Sequence, residues 1–232
     1  MKIALIGYGA MGRLIERLAL DKGHEVSVVI DEADSGLSAE QLAEKLRGSD
    51  VAIDFTVAAA VRRNIGACVS AGVPIVVGTT GWLDDRAEIE NIVAEGRGSL
   101  VFGANFSIGV NLFYKVAEYA AGLFAKFPEY EAFIEEQHHS RKLDSPSGTA
   151  LKLKDVVSQH VNVGDIAATR AGNIPGTHRL GFDGPADQIL LEHTARTREG
   201  FASGAILAAE WIAEKRGFFE FIDILGGFTD GE

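Results

Sequence analysis

A single cysteine, Cys68, stands in 232 residues, so no intramolecular disulfide can staple the fold and stability must come from packing. Cys68 lies in an apolar, helix-like pattern and reads as a packed core thiol. Positive charge is also scarce: 22 Lys and Arg face 33 Asp and Glu, a formal net charge of −11. No basic tract interrupts that background, which argues against a general nucleic-acid binder. No apolar run approaches the ~20 residues of a bilayer crossing. Met1-Lys2 leads straight into Ile3-Ala4-Leu5-Ile6 without the pattern of a signal peptide, so the expectation is a cytoplasmic protein with no membrane partner. Internal repeats and low-complexity tracts are missing too. What is present is 47% hydrophobic residues with 8% aromatic, enough for one large core or two small ones.

Short, near-continuous apolar runs recur through the first hundred residues: Ile3 to Ile6, Val26 to Ile30, Val51 to Phe55, Pro74 to Val77 and Leu100 to Phe102. Such runs suit central parallel strands, buried on both faces. Between them, Met11 to Lys22, Ala58 to Ala71 and Asp84 to Glu95 predict crossover helices, and the stretch from Asp31 to Asp50 is read as a linker. The sum is a doubly wound α/β sheet. After Asn105 the texture changes. A long helix from about Ser107 to Phe127 precedes an apolar strand, and a helix from about Thr149 to His160 follows it. Strands are expected near Ala167 to Arg170, Arg179 to Phe182 and Gln188 to Ala195, so this part is α+β. An Ala-rich helix from Ala202 to Glu214 and an aromatic segment from Phe218 to Leu225 could return to the first domain.

The first strand-to-helix turn is Gly7-Tyr8-Gly9-Ala10-Met11-Gly12, a GxGxxG pattern in the context that gives it meaning. The first glycine permits the tight turn, the second lets backbone approach a pyrophosphate, and the third allows helix to pack on strand. The second strand ends in Asp31, where a carboxylate would accept the ribose hydroxyls of a dinucleotide. Gly78-Thr79-Thr80-Gly81 follows the fourth strand and Ala104-Asn105-Phe106-Ser107 the fifth, along the same carboxyl edge. They could line a nicotinamide, although the first, taken alone, reads better as an ordinary turn that needs small residues. The second stands where a hinge would be expected.

The densest chemistry lies between Glu135 and Ala150, in Glu-Glu-Gln-His-His-Ser-Arg-Lys-Leu-Asp-Ser-Pro-Ser-Gly-Thr-Ala. His138 and His139 end an apolar strand, so their side chains leave on opposite faces and only one can turn inward. Ser147 or Thr149 can cap the helix that follows, whose start suits an anion. On these residues alone the histidines could also be a solvated strand end, and Arg141-Lys142 a surface charge run. Arg170, Arg196 and Arg198 are weaker candidates for an anion site. A metal site is not expected, because no carboxylate or cysteine is seen at ligand spacing.

Together the glycine turn, Gly78 to Gly81, Ala104 to Ser107 with Gly109-Val110-Asn111, and the pattern from His138-His139 through Lys142, Asp144 and Pro146 to Ser147-Gly148-Thr149 resemble the dihydrodipicolinate reductase family of lysine and diaminopimelate biosynthesis. The resemblance spans nearly the whole chain. It implies an N-terminal Rossmann-type dinucleotide-binding domain formed by 1–106 and 199–232, and a substrate-binding and oligomerisation domain at 107–198. The implied reaction is an NAD(P)H-dependent reduction of a cyclic imine dicarboxylate to tetrahydrodipicolinate, in a cleft between the two. His138 and Lys142 match the catalytic positions, the first as general acid. His139, Ser147, Gly148 and Thr149 match the substrate-binding positions. Gly7, Tyr8, Gly9, Ala10, Met11, Gly12, Asp31, Gly78, Thr79, Thr80, Ala104, Asn105 and Phe106 match the cofactor-binding ones. A homotetramer is implied as well.

Departures from the family pattern bear on the cofactor. Ala10 stands where a basic residue is common, and Glu32 where an arginine often follows the acid. Both remove positive charge that would meet a 2′-phosphate, so NADH is expected over NADPH, with Arg13 as partial compensation. Ser145 replaces a common alanine, and the Asp31 to Asp50 stretch is short for the family. Competing readings are another two-domain Rossmann oxidoreductase, such as an amino-acid dehydrogenase, and a non-catalytic NAD-binding sensor. Intact His138 and Lys142 argue against the sensor.

Overall fold

A computed structural model of the chain describes residues 1–226, in two compact units: Met1–Ser107 with the segment from Glu199 onward, and Ile108–Arg198. Positions 227–232 of the segment assigned to the dinucleotide domain lie outside the described residues. Among the described residues no helix is long and apolar enough to cross a membrane.

The first unit is a six-stranded sheet in which every pairing is parallel. Its strands are β1 (Lys2–Ile6), β2 (Glu25–Ile30), β3 (Val51–Asp54), β4 (Ile75–Val77), β5 (Ser99–Phe102) and β10 (Gly217–Glu220), in the order β10-β5-β4-β3-β1-β2. Helices α1 (Ala10–Asp21), α2 (Ala39–Leu46), α3 (Ala58–Ala71), α4 (Arg86–Glu95), α7 (Glu199–Ile212) and α8 (Phe221–Gly226) complete it. The near-continuous apolar runs have the cause expected of them. β3, β4 and β5 are buried at every residue, whereas the edge strand β2 alternates and β10 is half-buried. The strand order reverses at β1, between β2 and β3, and ligands bind beyond the carboxyl ends at such a switch.

Two expectations need correction. The Asp31 to Asp50 stretch is no plain linker: it holds a short 3-10 turn and then α2, which starts with a reciprocal Ser38/Gln41 capping box. Leu42, Ala43 and Leu46 bury that helix in the same core as Val61 and Ile65 of α3. The aromatic segment near the end divides into β10 and α8, with Phe221 seated against Phe106 at 4.6 Å between ring centroids. Trp82 is buried after β4, its indole donating to the Thr79 carbonyl at 2.8 Å.

The second unit packs α5 (Ile108–Phe124) and α6 (Gly148–Val157) with a four-stranded mixed sheet. Its order is β7-β6-β8-β9, from β6 (Glu131–His138), β7 (Ala167–Arg170), β8 (Thr177–Asp183) and β9 (Gln188–Thr194). Alternation along β6 buries Ala132, Ile134 and Glu136, and the antiparallel register sets them opposite Phe182, Leu180 and His178, which are also buried. On the other face Phe133 covers Gly181, where a Cβ would lie 2.2 Å from the ring.

Candidate functional site

In the first unit the glycine turn is built so that only glycine works at its ends. Gly7 has φ +93° and a Cβ on it would meet the Phe55 carbonyl oxygen at 2.2 Å; on Gly12 it would meet the Gly7 carbonyl oxygen at the same distance. Gly9, by contrast, has no atom within 4 Å of where its Cβ would stand. It N-caps α1 with no side-chain cap hydrogen bond, and the first turn carries no acid. The twelve-residue helix thus starts without a side-chain cap and beside open space at Gly9, a terminus suited to an anion. Beside the turn lies a cleft of about 580 Å³ lined by Gly7, Tyr8, Gly9, Arg13, Asp31 and Glu32, among others.

Two cations share that cleft with the acids. Arg13 stacks over the Tyr8 ring at 5.4 Å. Arg63, which sequence reasoning passed over, reaches from α3 and donates to the Ser35 carbonyl at 2.5 Å and to the Asn64 side chain at 3.1 Å. Asp31 accepts from Ala33 N at 2.9 Å and so starts the 3-10 turn.

The other two segments expected to line a cofactor carry structural duties. Thr79 turns its buried hydroxyl to Asp54 at 2.9 Å, and Gly78 leaves room for the Phe55 ring. Asp54, missed in the sequence, also accepts from Asn64 Nδ2, Thr56 N and Thr56 Oγ1 at 2.8, 3.0 and 2.7 Å. Burial pushes its carboxyl up despite those bonds. Thr80 and Ala104 are exposed, Asn105 accepts from Ser107 N at 2.8 Å, and Phe106 is core.

In the second unit the strand ends at His138, and His139 begins the loop, with its Nδ1 buried and unpartnered. His138 faces inward, on the same side as Glu136 two residues earlier. Glu136 is 1% exposed and is the hub of the site. Its Oε2 receives His138 Nδ1 at 2.5 Å and an Arg170 N–H at 2.9 Å, while Oε1 receives the other Arg170 arm at 2.6 Å and Ser147 N at 3.1 Å. Burial alone would raise its pKa; the bonds from Arg170, His138 and Ser147 outweigh that and hold the carboxyl below its usual range. His138 is pulled down by burial against the opposing pull of Glu136, with the Lys142 and Arg170 cations adding to the depression.

Ser147 supplies the N-cap of α6, accepting from Ala150 N at 3.2 Å. Its hydroxyl also meets His178 Nε2 at 3.0 Å. Burial and the neighbouring His138 push His178 down to about 4. With Ser147 N committed to Glu136 and Gly148 N–H to Asp144, the backbone donor left at this helix start among the described residues is that of Thr149. Lys142 Nζ pairs with Asp144 at 2.7 Å, which holds the Asp144 carboxyl low, helped by the Gly148 N–H.

The structure thus brings His138 and Ser147 onto one buried carboxylate, with Lys142 near enough for its charge to act on His138. Arg170, a weaker candidate from sequence, belongs to the site; Arg196 and Arg198 are exposed. Glu136 and His178 were missed, although Glu136 stands two residues before His138, the spacing of one strand face. The expectation that no carboxylate stands at ligand spacing is corrected: Glu136, His138 and His178 offer ligand atoms within 4.8 Å of one another. Both Glu136 oxygens are already filled by Arg170 and its other donors, so the cluster is a hydrogen-bond network.

Comparison with known proteins agrees over nearly the whole length. Residues 1–106 match the family model for the N-terminus of dihydrodipicolinate reductase, and 109–225 match that for its C-terminus. A 4-hydroxy-tetrahydrodipicolinate reductase of Christiangramia forsetii is 38% identical over 97% of this chain and 98% of its own. One from Archaeoglobus fulgidus is 36% identical over 97% of this chain and all of its own. The solved structure of a dipicolinate-bound dihydrodipicolinate reductase from Paenisporosarcina sp. TG-14 shares the fold, with TM-score 0.81 at 24% identity, over 97% of this chain and 99% of that one. The chain belongs to the dihydrodipicolinate reductase family, oxidoreductases that reduce their substrate in lysine and diaminopimelate biosynthesis.

Proposed function

We propose that the chain reduces 4-hydroxy-tetrahydrodipicolinate with NADH, His138 acting as general acid and Lys142 as the cation beside the ring nitrogen. The observation that carries this reading is the buried Glu136 hub, which ties an inward-facing histidine to the start of an anion-suited helix. When bound, the nicotinamide supplies the hydride. Gly7, Tyr8, Gly9, Ala10, Met11 and Gly12 are assigned to the pyrophosphate, Asp31 to the ribose hydroxyls, and Gly78, Thr79, Thr80, Ala104, Asn105 and Phe106 to the nicotinamide half. The uncapped α1 terminus and the open space at Gly9 support the first assignment. NADH is favoured because Asp31 and Glu32 line the cleft while Arg13 and Arg63 are engaged by Tyr8 and by backbone carbonyls. A 2′-phosphate would meet two carboxylates there.

The remaining chemistry falls to the second unit. Reduction of a conjugated imine leaves electron density that a proton must quench, and a histidine is the side chain best suited to give one near neutral pH. The low pKa of His138 makes its cation a willing donor. Lys142 offsets the negative charge that builds on the ring nitrogen. The Thr149 N–H and the Ser147 hydroxyl receive one substrate carboxylate, with the Gly148 N–H exchanging Asp144 for it, and His139, with its unpartnered Nδ1, receives the other. We further assign the protein to the cytoplasm as a homotetramer, joined through the sheet face that carries Phe133, Arg179 and the half-exposed Leu190.

The test is loss of NADH absorbance when the purified protein meets the condensation product of pyruvate and aspartate semialdehyde. No turnover beside an active reductase would overturn the substrate and mechanism. Equal or better KM for NADPH would overturn the cofactor preference alone.

A further inference from the structure

We infer that Glu136 is a positioning residue that fixes His138 as the Nδ1–H tautomer, so that Nε2 is the atom through which this histidine exchanges its proton. The inference deepens the proposed role of His138 and rests on it. Arg170 and the Ser147 backbone can only donate, and they claim both Glu136 oxygens at 2.6, 2.9 and 3.1 Å. Both arms of Arg170 and the Ser147 N–H hold Glu136 as the ionised carboxylate, which can only accept. The ring nitrogen 2.5 Å from Oε2 therefore carries hydrogen, and Nδ1–H donates to the carboxylate.

A second observation concerns the opposite nitrogen. A Cβ on Gly176, in the turn between β7 and β8, would lie 2.9 Å from His138 Nε2 and 3.3 Å from its ring carbon. That turn approaches Nε2 with backbone alone, and any larger residue would cover it. One ring nitrogen is held by a carboxylate and the other is kept clear by a glycine. The groups facing the ring are Glu136 from its own strand, Arg170 from β7, Lys142 from the following loop and His178 from β8, whose ring centroid is 5.2 Å away. Arg170 balances the Glu136 charge, so the carboxylate orients the ring without locking it in the cationic form.

The inference is tested on the full-length protein by two-bond ¹H–¹⁵N correlation of the histidine rings, His138 being assigned by the signal lost in His138→Gln. The expected neutral ring is protonated on Nδ1; an Nε2–H pattern overturns the inference, and this measurement needs no variant of the hub to fold. In Glu136→Gln the amide N–H must face one of the former donors. The ring is then expected to switch or mix tautomers, with kcat falling about 10²–10⁴-fold and KM within about threefold, as when a histidine loses its orienting carboxylate. Unchanged tautomer and kcat in Glu136→Gln would overturn it. Gly176→Ala should lower kcat while Nδ1–H persists; full activity there would overturn the assignment of Nε2. Absence of wild-type turnover, by contrast, would fall on the proposed reaction and leave the tautomer to be read by itself.

Discussion

Below neutral pH this protein should lose stability through one buried imidazole. His178 is 4% exposed, its Nδ1 has no partner, and burial holds its pKa at about 4 against 6.5 when unfolded. A depressed folded pKa means that between those values the unfolded chain binds the extra proton and the folded one does not. Stability from the neutral ring is therefore complete above pH about 6.5 and is lost as pH falls toward about 4. At ~1.4 kcal/mol per unit, the full loss is about 3 kcal/mol, of which about 2 kcal/mol has gone by pH 5. The comparison protein is His178→Gln, whose amide still reaches Ser147 but does not titrate. Urea unfolding followed by far-UV circular dichroism at pH 7 and pH 5 gives the loss for each. Wild type should lose about 2 kcal/mol more than the variant, since other acid-sensitive groups are common to both. Losses agreeing to within about 0.5 kcal/mol would refute the reasoning.

Gly12→Ala forces a methyl to 2.2 Å from the Gly7 carbonyl oxygen, so calorimetric titration should show NADH binding weakened at least about tenfold; wild-type affinity would mean that the turn relaxes freely. Asp54→Ala removes the acceptor shared by Thr56, Thr79 and Asn64, and should cost about 3 kcal/mol in urea melts. His138→Ala should reduce kcat by about 10²–10⁴ with little change in KM, whereas a rise in KM alone would make it a binding residue. Asp31→Ser should narrow the NADH preference by about tenfold or more in KM ratio, and no change would place the discrimination elsewhere.

What the sequence made legible follows the range of the interactions involved. Parallel strands buried on both faces write themselves as apolar runs, so β1, β3, β4 and β5 were found within a residue or two. The capping box of Ser38 and Gln41 was equally local, yet α2 went unread because only eight residues carry its period. The His138 to Thr149 motif is contiguous and stood out, and the family resemblance rests on it. Its hub did not. Glu136 gains meaning only when β7 brings Arg170 alongside and β8 sets His178 opposite, a register that no window of sequence contains. Thr79 shows the converse: a residue flagged for a ligand spends its hydroxyl on Asp54, a carboxylate twenty-five positions away.

Trp82 and Trp211 are the two tryptophans of the chain, and both belong to the unit that carries the glycine turn. The Trp82 indole is tied to the carbonyl of Thr79, inside the loop after β4, and meets Phe102 edge-on at 5.5 Å. Indole emission from this protein is therefore a local signal, sensitive to rearrangement of the loop after β4. Neither indole belongs to the unit that bears His138. An optical titration with NADH therefore reads indoles that both lie in the unit of the glycine turn, neither of them in the unit of the imidazoles.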